Sequence, residues 1–369
     1  MNNFALNLAL NSVSFGQCSI ALLKEIYKKN HQPPLFLIGQ PDLTTQKPTQ
    51  EFVNWLNGNI AKNVRTHSRN NPVFKLWHLN GSLESLSKKQ VLLSFYELDS
   101  PTQEEVNIVK NNDVVLFSSQ ETVDTFQNFG CNNVFYVPLG FDKDNFQVKN
   151  RSYFNDGRIT FLLTGKAEKR KHTEKIIRAW VKKFGNNIKY YLNCAIYNPF
   201  LIERRPDGQT VDHNANLFNQ ILEGKKYFNV SFQGFMPTNE AYNDYLNSGN
   251  IVIGMSGGEG WGLPEFQATA LGKHAVILNA HAYKGWANQE NAVLVSPNGK
   301  IEVYDGMFFH KGQQFNQGNV YVYDDEAFIH GCEEAIKRFE ANAVNNEGLK
   351  LQENFSYEKT WNTIETYLN

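Results

Sequence analysis

Between Ile251 and Leu271 the chain changes character twice in quick succession. The apolar run Ile251–Met255 reads as a buried strand. Gly257-Gly258-Glu259-Gly260-Trp261-Gly262 follows, and a helix from Glu265 to Leu271, opened by Pro264, ends at Gly272. Strand, glycine turn and helix in this order constrain the region to a parallel α/β unit. Glycine admits positive φ and close approach of backbone to a ligand, and Pro264 suits a first helical position, where its missing N–H costs nothing. The free N–H groups of that turn favour an anion. The segment is therefore expected to hold a phosphate, with Gly258, Gly260, Trp261, Gly262 and Leu263 lining it and Glu259 aimed just beyond.

The same alternation runs along nearly the whole chain. Strands are predicted at Phe4–Leu10, Leu35–Ile38, Val73–Leu79, Val91–Phe95, Val114–Phe117 and Val134–Val137. A second series is predicted at Ile159–Leu163, Lys189–Cys194, Phe228–Phe232, Asn250–Met255, Ala275–Leu278 and Ala292–Val295. Amphipathic segments lie between them: Ile20, Leu23 and Ile26 share one helical face, and Ile176, Trp180 and Phe184 another. Such alternation predicts parallel sheets with helical crossovers. A chain of 369 residues is long for a single core, and the polar stretch Asp142–Gly157 separates the two series. The expected architecture is α/β, two doubly wound Rossmann-like domains facing each other across a cleft. Residues 1–148 form the first and 149–354 the second, with a C-terminal helix over 355–369 packing back on the first. Ligands of such sheets bind at the carboxyl ends of the strands.

The net charge of −1 gives no global field toward nucleic acid or anionic lipid, so nucleic acid is not favoured as a partner, though a local patch stays open. Cys18, Cys131, Cys194 and Cys332 are too dispersed for a zinc or redox motif. No apolar stretch is long enough to span a bilayer, and Met1–Phe4 lacks the pattern of a signal peptide, so a cytoplasmic location is expected.

Five further groups of residues fall at predicted strand ends. Thr164–Thr173 places Lys166, Lys169, Arg170 and Lys171 after Ile159–Leu163. Cations before a helix oppose its dipole unless an anion sits there, and an arginine can grip a diphosphate through two hydrogen bonds. Asn11–Ser19 opens the first helix, with Gly16 allowing a sugar or phosphate to approach and Ser14 as an alternative cap. Leu76–Ser82 presents His78 for orienting or proton transfer, and Asn80 and Ser82 for hydroxyl binding. In the next strand end, Glu97 can face the cleft, while Asp99 or Ser100 is read as a helix cap. The loop Leu278–Trp286 carries Asn279 and His281 beside the glycine turn. The chain has neither a Gly-x-x-x-x-Gly-Lys-Ser/Thr loop nor a Gly-x-Ser-x-Gly elbow. Asp142-Lys143-Asp144 lies in the linker, and no metal site is expected.

Gly258-Glu259-Gly260-Trp261-Gly262-Leu263-Pro264 resembles the Glu-Gly-Phe-Gly-Leu-Pro signature of retaining GT-B glycosyltransferases, the large glycosyltransferase family 4 group. The passage from Tyr96 to Asp142 is similar to the end of that family's first domain. The resemblance implies that Glu259 contacts the donor sugar and that the basic pair drawn from Lys166, Arg170 and Lys171 binds the diphosphate. The family's second glutamate, which binds the ribose, is Gln267 here. It implies no cofactor: the substrate is a nucleotide-diphosphate sugar, UDP- or GDP-linked, and the partner a hydroxyl acceptor of unstated identity. The expected activity is hexosyl or pentosyl transfer, retaining and metal-independent, with Glu259, His78 and Lys171 as its catalytic candidates. A degenerate protein that binds the nucleotide sugar without transfer, and a transferase acting on hydroxymethylated DNA bases, stay open as alternatives. The residues Ile301–Tyr323 have no assigned counterpart in the family.

Overall fold

The computed structural model describes residues 4–205, 207–234 and 236–369. Two six-stranded sheets, each wholly parallel, organise the chain. The first contains β1 (Ala5–Leu8), β2 (Leu35–Leu37), β3 (Val73–Leu76), β4 (Gln90–Ser94), β5 (Val114–Phe117) and β6 (Val134–Tyr136), in the order β2-β1-β3-β4-β5-β6. Its helices are α1 (Ser14–Lys28), α2 (Gln50–Ala61), the short α3 (Asn63–Thr66), α4 (Gln103–Asn111) and α5 (Gln120–Asn128). The second sheet begins with β7 (Ile159–Lys166) and β8 (Tyr190–Tyr197). A small hairpin, β9 (Ile202–Arg204) and β10 (Thr210–Asp212), precedes β11 (Val230–Gln233), β12 (Ile251–Gly254), β13 (His274–Leu278) and β14 (Val293–Val295). The large sheet runs β11-β8-β7-β12-β13-β14, with α6 (Thr173–Phe184), α7 (Asn214–Ile221), α8 (Asn239–Ser248) and α9 (Leu263–Ala270) as crossovers. Each predicted strand is present, most shortened by one to three residues at an end, while β7 and β8 extend beyond theirs to Lys166 and Tyr197.

The strand orders fix where the sites lie. In the first sheet, order reverses between β1 and β3, and in the second between β7 and β12. At such a switch the crossovers leave to opposite faces, which opens a crevice at the strand ends. The reversal between β7 and β12 is where the cationic turn and the glycine turn both emerge.

Local chemistry sets the helix starts. Asn11 Oδ1 accepts from the backbone N–H groups of Val13 and Gly16, both at 3.1 Å. Val13 is the N-cap of α1 and no side chain caps it there, so Ser14 is the first helical residue rather than the cap. A Cβ at Gly16 would lie 1.9 Å from the Asn11 carbonyl oxygen, so the close packing of the turn on itself requires this glycine. At α4 the cap is Thr102, which forms a reciprocal capping box with Glu105. Asp99 and Ser100 lie outside it.

Beyond β14 come an antiparallel hairpin, β15 (Gly299–Glu302) with β16 (Asn319–Val322), and α10 (Asp325–Ala341). The hairpin leaves the second sheet and packs on the first. Val303, Phe309 and Val320 join Leu98, Val106 and Phe117 in one apolar cluster. Asp99 accepts from the Asn319 backbone N–H at 2.8 Å and pairs with Lys300 at 3.0 Å. Thr102 Oγ1 donates to the Gln314 carbonyl, the Asn316 N–H donates to Glu105, and Tyr321 Oη donates to Glu121. Two short helices, α11 (Asn346–Leu349) and α12 (Leu351–Asn354), lead to α13 (Tyr357–Leu368). A parallel bridge between Phe141 and Ser356 brings the chain back across. α13 then packs on α1, with fully buried Trp361 5.4 Å from Phe4 and 5.9 Å from Phe74. Among the described residues no helix is long and apolar enough to cross a membrane.

Candidate functional site

A cavity of about 400 Å³ lies between the two sheets, with mostly apolar walls and a charged floor. The first sheet contributes Ser12, Ser14, Gln17, Phe95 and Glu97; the second contributes Thr164 to Lys166, Arg170, Lys171, Tyr197 and the turn Glu259–Pro264. Gln267, one turn further along α9, also faces it.

The floor is a carboxylate–cation lattice. Lys169–Lys171 form a short 3-10 turn after β7, followed by His172 in the left-handed region (φ 54°), whose ring lies 2.8 Å from the Tyr321 carbonyl of the hairpin. The cations therefore sit one turn ahead of α6 and not within it. Arg170 is buried and pairs with Glu168 at 2.6 Å, Glu259 at 3.0 Å and Glu97 of the first sheet at 3.3 Å, and it donates to the Gly258 carbonyl. Lys171 also pairs with Glu259. Burial by itself would push the Glu259 carboxyl up, but Lys171 and Arg170 outweigh it and hold the group at about 2. Glu265 lacks a comparable pair. Burial drives it up, opposed by Lys171 and reinforced by Glu259, to about 7. Lys166 is exposed at the cavity edge, 5.7 Å from the Phe308 ring centroid.

The glycine turn has a second reason for its composition. A Cβ at Gly258 would lie 2.2 Å from the Glu97 carbonyl oxygen, and one at Gly260 would lie 2.8 Å from Phe95 Cβ. A Cβ at Gly257 would meet the Tyr321 carbonyl oxygen at 2.2 Å. Close approach is thus required by the opposing sheet and by the hairpin. Gly262 alone takes a positive φ (81°), as N-cap of α9, where no side chain caps the helix. Leu263 is the first helical residue and Pro264 the second. The donors of this start are thinned by the proline, and the Glu265 carboxylate accepts from its own backbone N–H there.

The structure gathers Glu259, Lys166, Arg170, Lys171, Gly260, Trp261, Gly262, Leu263 and Gln267 around one cavity. It leaves other expected residues outside. Gly16 and Gly258 are packed against backbone and do not line this cavity. His281 is buried behind the turn, its Nδ1 2.6 Å from the Glu259 carbonyl oxygen, so it braces the turn from beneath and does not line the cavity. Asn279 follows β13 and does not reach the cavity wall. His78 is exposed, its ring centroid 4.3 Å from that of Phe15 at a tilt of 50°, and it is not part of the wall. Ser82 is buried in a polar network with Lys75, Gln90 and Asn112. Two contributions escaped the sequence reading. Glu168 grips Arg170 from two residues away, and Gln17 forms a reciprocal amide pair with Asn239 across the cavity, at 2.9 and 3.0 Å. The Gln17–Asn239 pairing spans 222 residues and leaves no local spacing to detect.

No protein-family model matches the sequence, and no curated sequence matches it. Solved structures do. HepE of Anabaena, in complex with UDP and glucose, superposes with a TM-score of 0.66 at 13% identity, over 98% of each chain. The catalytic domain of starch synthase IV from Arabidopsis thaliana, bound to ADP and acarbose, gives 0.65 at 10% identity, over 100% of this chain and 99% of that one. Sucrose-phosphate synthase from Thermosynechococcus elongatus gives 0.63 at 12%, over 99% and 98%. The fold of this chain is the GT-B fold, in which two Rossmann-like domains face each other across a cleft.

Proposed function

We propose that this protein is a glycosyltransferase that takes a sugar from a nucleotide-diphosphate donor, with retention and without a metal cofactor. The observation that carries this reading is the convergence of Arg170, Lys171 and Lys166 with Glu259 and the uncapped start of α9 in one cavity at the switch point of the second sheet. A diphosphate there meets the cationic groups of the β7 turn and the N–H groups of α9. As the bond between the sugar and the diphosphate breaks, these fixed positive groups stabilise the charge gathering on the leaving oxygens. Glu259, kept ionised by its two cations, is suited to accept hydrogen bonds from sugar hydroxyls and fix the ring. Gln267 supplies an amide where the resembling family has a ribose-binding carboxylate. Neighbours in the fold carry UDP or ADP, so adenine donors join the uridine and guanine donors to be tested. Retention rests on the family resemblance.

A second reading, binding without transfer, is favoured by one residue, Gln267. A thermal-shift screen of UDP-, ADP- and GDP-sugars tests the donor, because a ligand that binds only the folded chain raises its melting temperature. Hydrolysis or transfer assays on the stabilising sugar then separate transfer from mere binding. A chain that no nucleotide sugar stabilises would refute both readings.

A further inference from the structure

The floor of the cavity is rich in carboxylates for a site that faces an anion. Arg170 and Lys171 meet three of them: Glu168 and Glu97 pair with Arg170, and Glu259 pairs with both cations. Two positive charges thus face three negative ones, and Lys166 at the cavity edge brings the total to neutrality. Glu265 is a fourth carboxylate. It sits in the first turn of α9, next to Pro264, and is only 3% exposed. Its neighbours Pro264 and Gln267 line the cavity, while Glu265 lies behind that wall. The groups around it come from five elements. Lys171 arrives from the 3-10 turn after β7, Glu259 from the glycine turn, Tyr242 from α8 and Tyr283 from the 3-10 turn His281–Gly285. β12 brings Gly254, where a Cβ would lie 2.7 Å from Glu265 Cγ. Burial drives the Glu265 carboxyl up to about 7, with Lys171 opposing and Glu259 reinforcing, so near neutral pH both of its states are populated.

An ionised Glu265 makes the floor negative before any ligand arrives. A nucleotide-diphosphate sugar adds the charge of two phosphates and competes for Lys171, the cation that favours the carboxylate. Both effects stabilise the carboxylic acid. We infer, building on the nucleotide-sugar reading, that donor binding drives a proton onto Glu265 and so makes donor affinity depend on pH. The proton comes from solvent and goes to a carboxylate oxygen, and no bond of the donor changes. Because the bound state holds more protons than the free state, affinity falls as pH rises. At pH values well below 7 the free chain already carries the proton and affinity is flat; the decline sets in as pH passes about 7.

The test uses the full-length chain and, as probe, the one of UDP-, ADP- and GDP-glucose that stabilises it most in the thermal-shift screen. Both phosphates of such a probe are esterified, so its own charge stays constant near neutral pH. Calorimetry at about pH 7.5 in buffers of different ionisation enthalpy reads the proton directly. Wild type is expected to take up about 0.5–1 proton per donor bound, and its affinity to weaken about 3- to 6-fold between pH 7 and pH 8. Glu265→Gln, which cannot titrate, is expected to take up less than about 0.2 proton and to hold its affinity within about 1.5-fold over that interval. Wild type that binds the donor without proton uptake overturns the inference. So does uptake that survives in Glu265→Gln, which would hand the proton to Glu97 or His281, the neighbours of Arg170 whose titration burial also shifts. Glutamine mimics the acid form, so a variant that binds far more weakly than wild type at about pH 6 overturns it as well. Failure of the donor reading is seen separately, as wild-type protein that none of the nucleotide sugars stabilises at any pH.

Discussion

The two switch points of the molecule share a topology and differ in charge. At the β7/β12 crevice, Arg170 and Lys171 meet Glu168 and Glu259, with Lys166 at the cavity edge. At the β1/β3 crevice, the cavity is lined by Ser12, Ser14, Gln17 and Phe95, with the tilted aromatic cluster of Phe15, Trp77 and His78 beside them. The first arrangement suits a charged ligand bound through fixed dipoles and ions. The second suits a neutral one bound through hydroxyl and amide contacts. One scaffold used twice thus separates the two roles by side-chain chemistry alone, and Glu97 is the carboxylate that crosses the divide.

The largest test of this contrast is Glu259→Ala on the charged side. It removes the carboxylate shared by Arg170 and Lys171, and is expected to lower turnover of the donor by about 100- to 1000-fold, as loss of a principal electrostatic group does. A rate at wild-type level would erase the distinction between the crevices. Next in size is Gly258→Ala, whose new methyl collides with the Glu97 carbonyl. It should destabilise the chain by about 1–3 kcal/mol through overpacking, read by denaturant unfolding. Gly58→Ala in α2 meets nothing within 4 Å and should stabilise by about 0.5–1 kcal/mol.

Glu265 gives a smaller, pH-dependent effect. With its carboxyl pushed up to about 7, the folded chain retains a proton that the unfolded chain releases near its ordinary value. Stability from this group is complete at acid pH and is lost as pH rises through 7. Glu265→Gln should therefore melt close to wild type at pH 5 and above it at pH 8. The smallest effect is expected from His78→Ala on the neutral side, where turnover should stay within about threefold of wild type because the ring lies outside the cavity. A large loss there would return His78 to the catalytic machinery and redraw the comparison.

Much of the architecture was legible because it is local. Val114–Phe117 matches β5 to the residue, and the run Ile251–Met255 loses one residue at its C-terminal end to give β12. Strand ends beside glycine or cation clusters point to the crevice, since parallel strands deliver their carboxyl ends to one side. The functional assignments were less legible where a side chain's meaning depends on a distant neighbour. Asn279 and His281 sit in the right loop, yet the backbone turns His281 under Glu259. The glycines at 258 and 260 read as ligand-facing, yet Glu97 and Phe95 set their size limit.

The order of apolar runs and turns by itself determined two parallel sheets and the strand ends where charge gathers, because hydrophobic periodicity and backbone preference act over a few residues. Only the tertiary structure decided which carboxylates face Arg170, why His78 stands aside, and that the segment Gly299–Val322 bridges the halves. Those outcomes follow from contacts between residues far apart in the chain, whose electrostatic and steric terms take effect only once both sheets are in place.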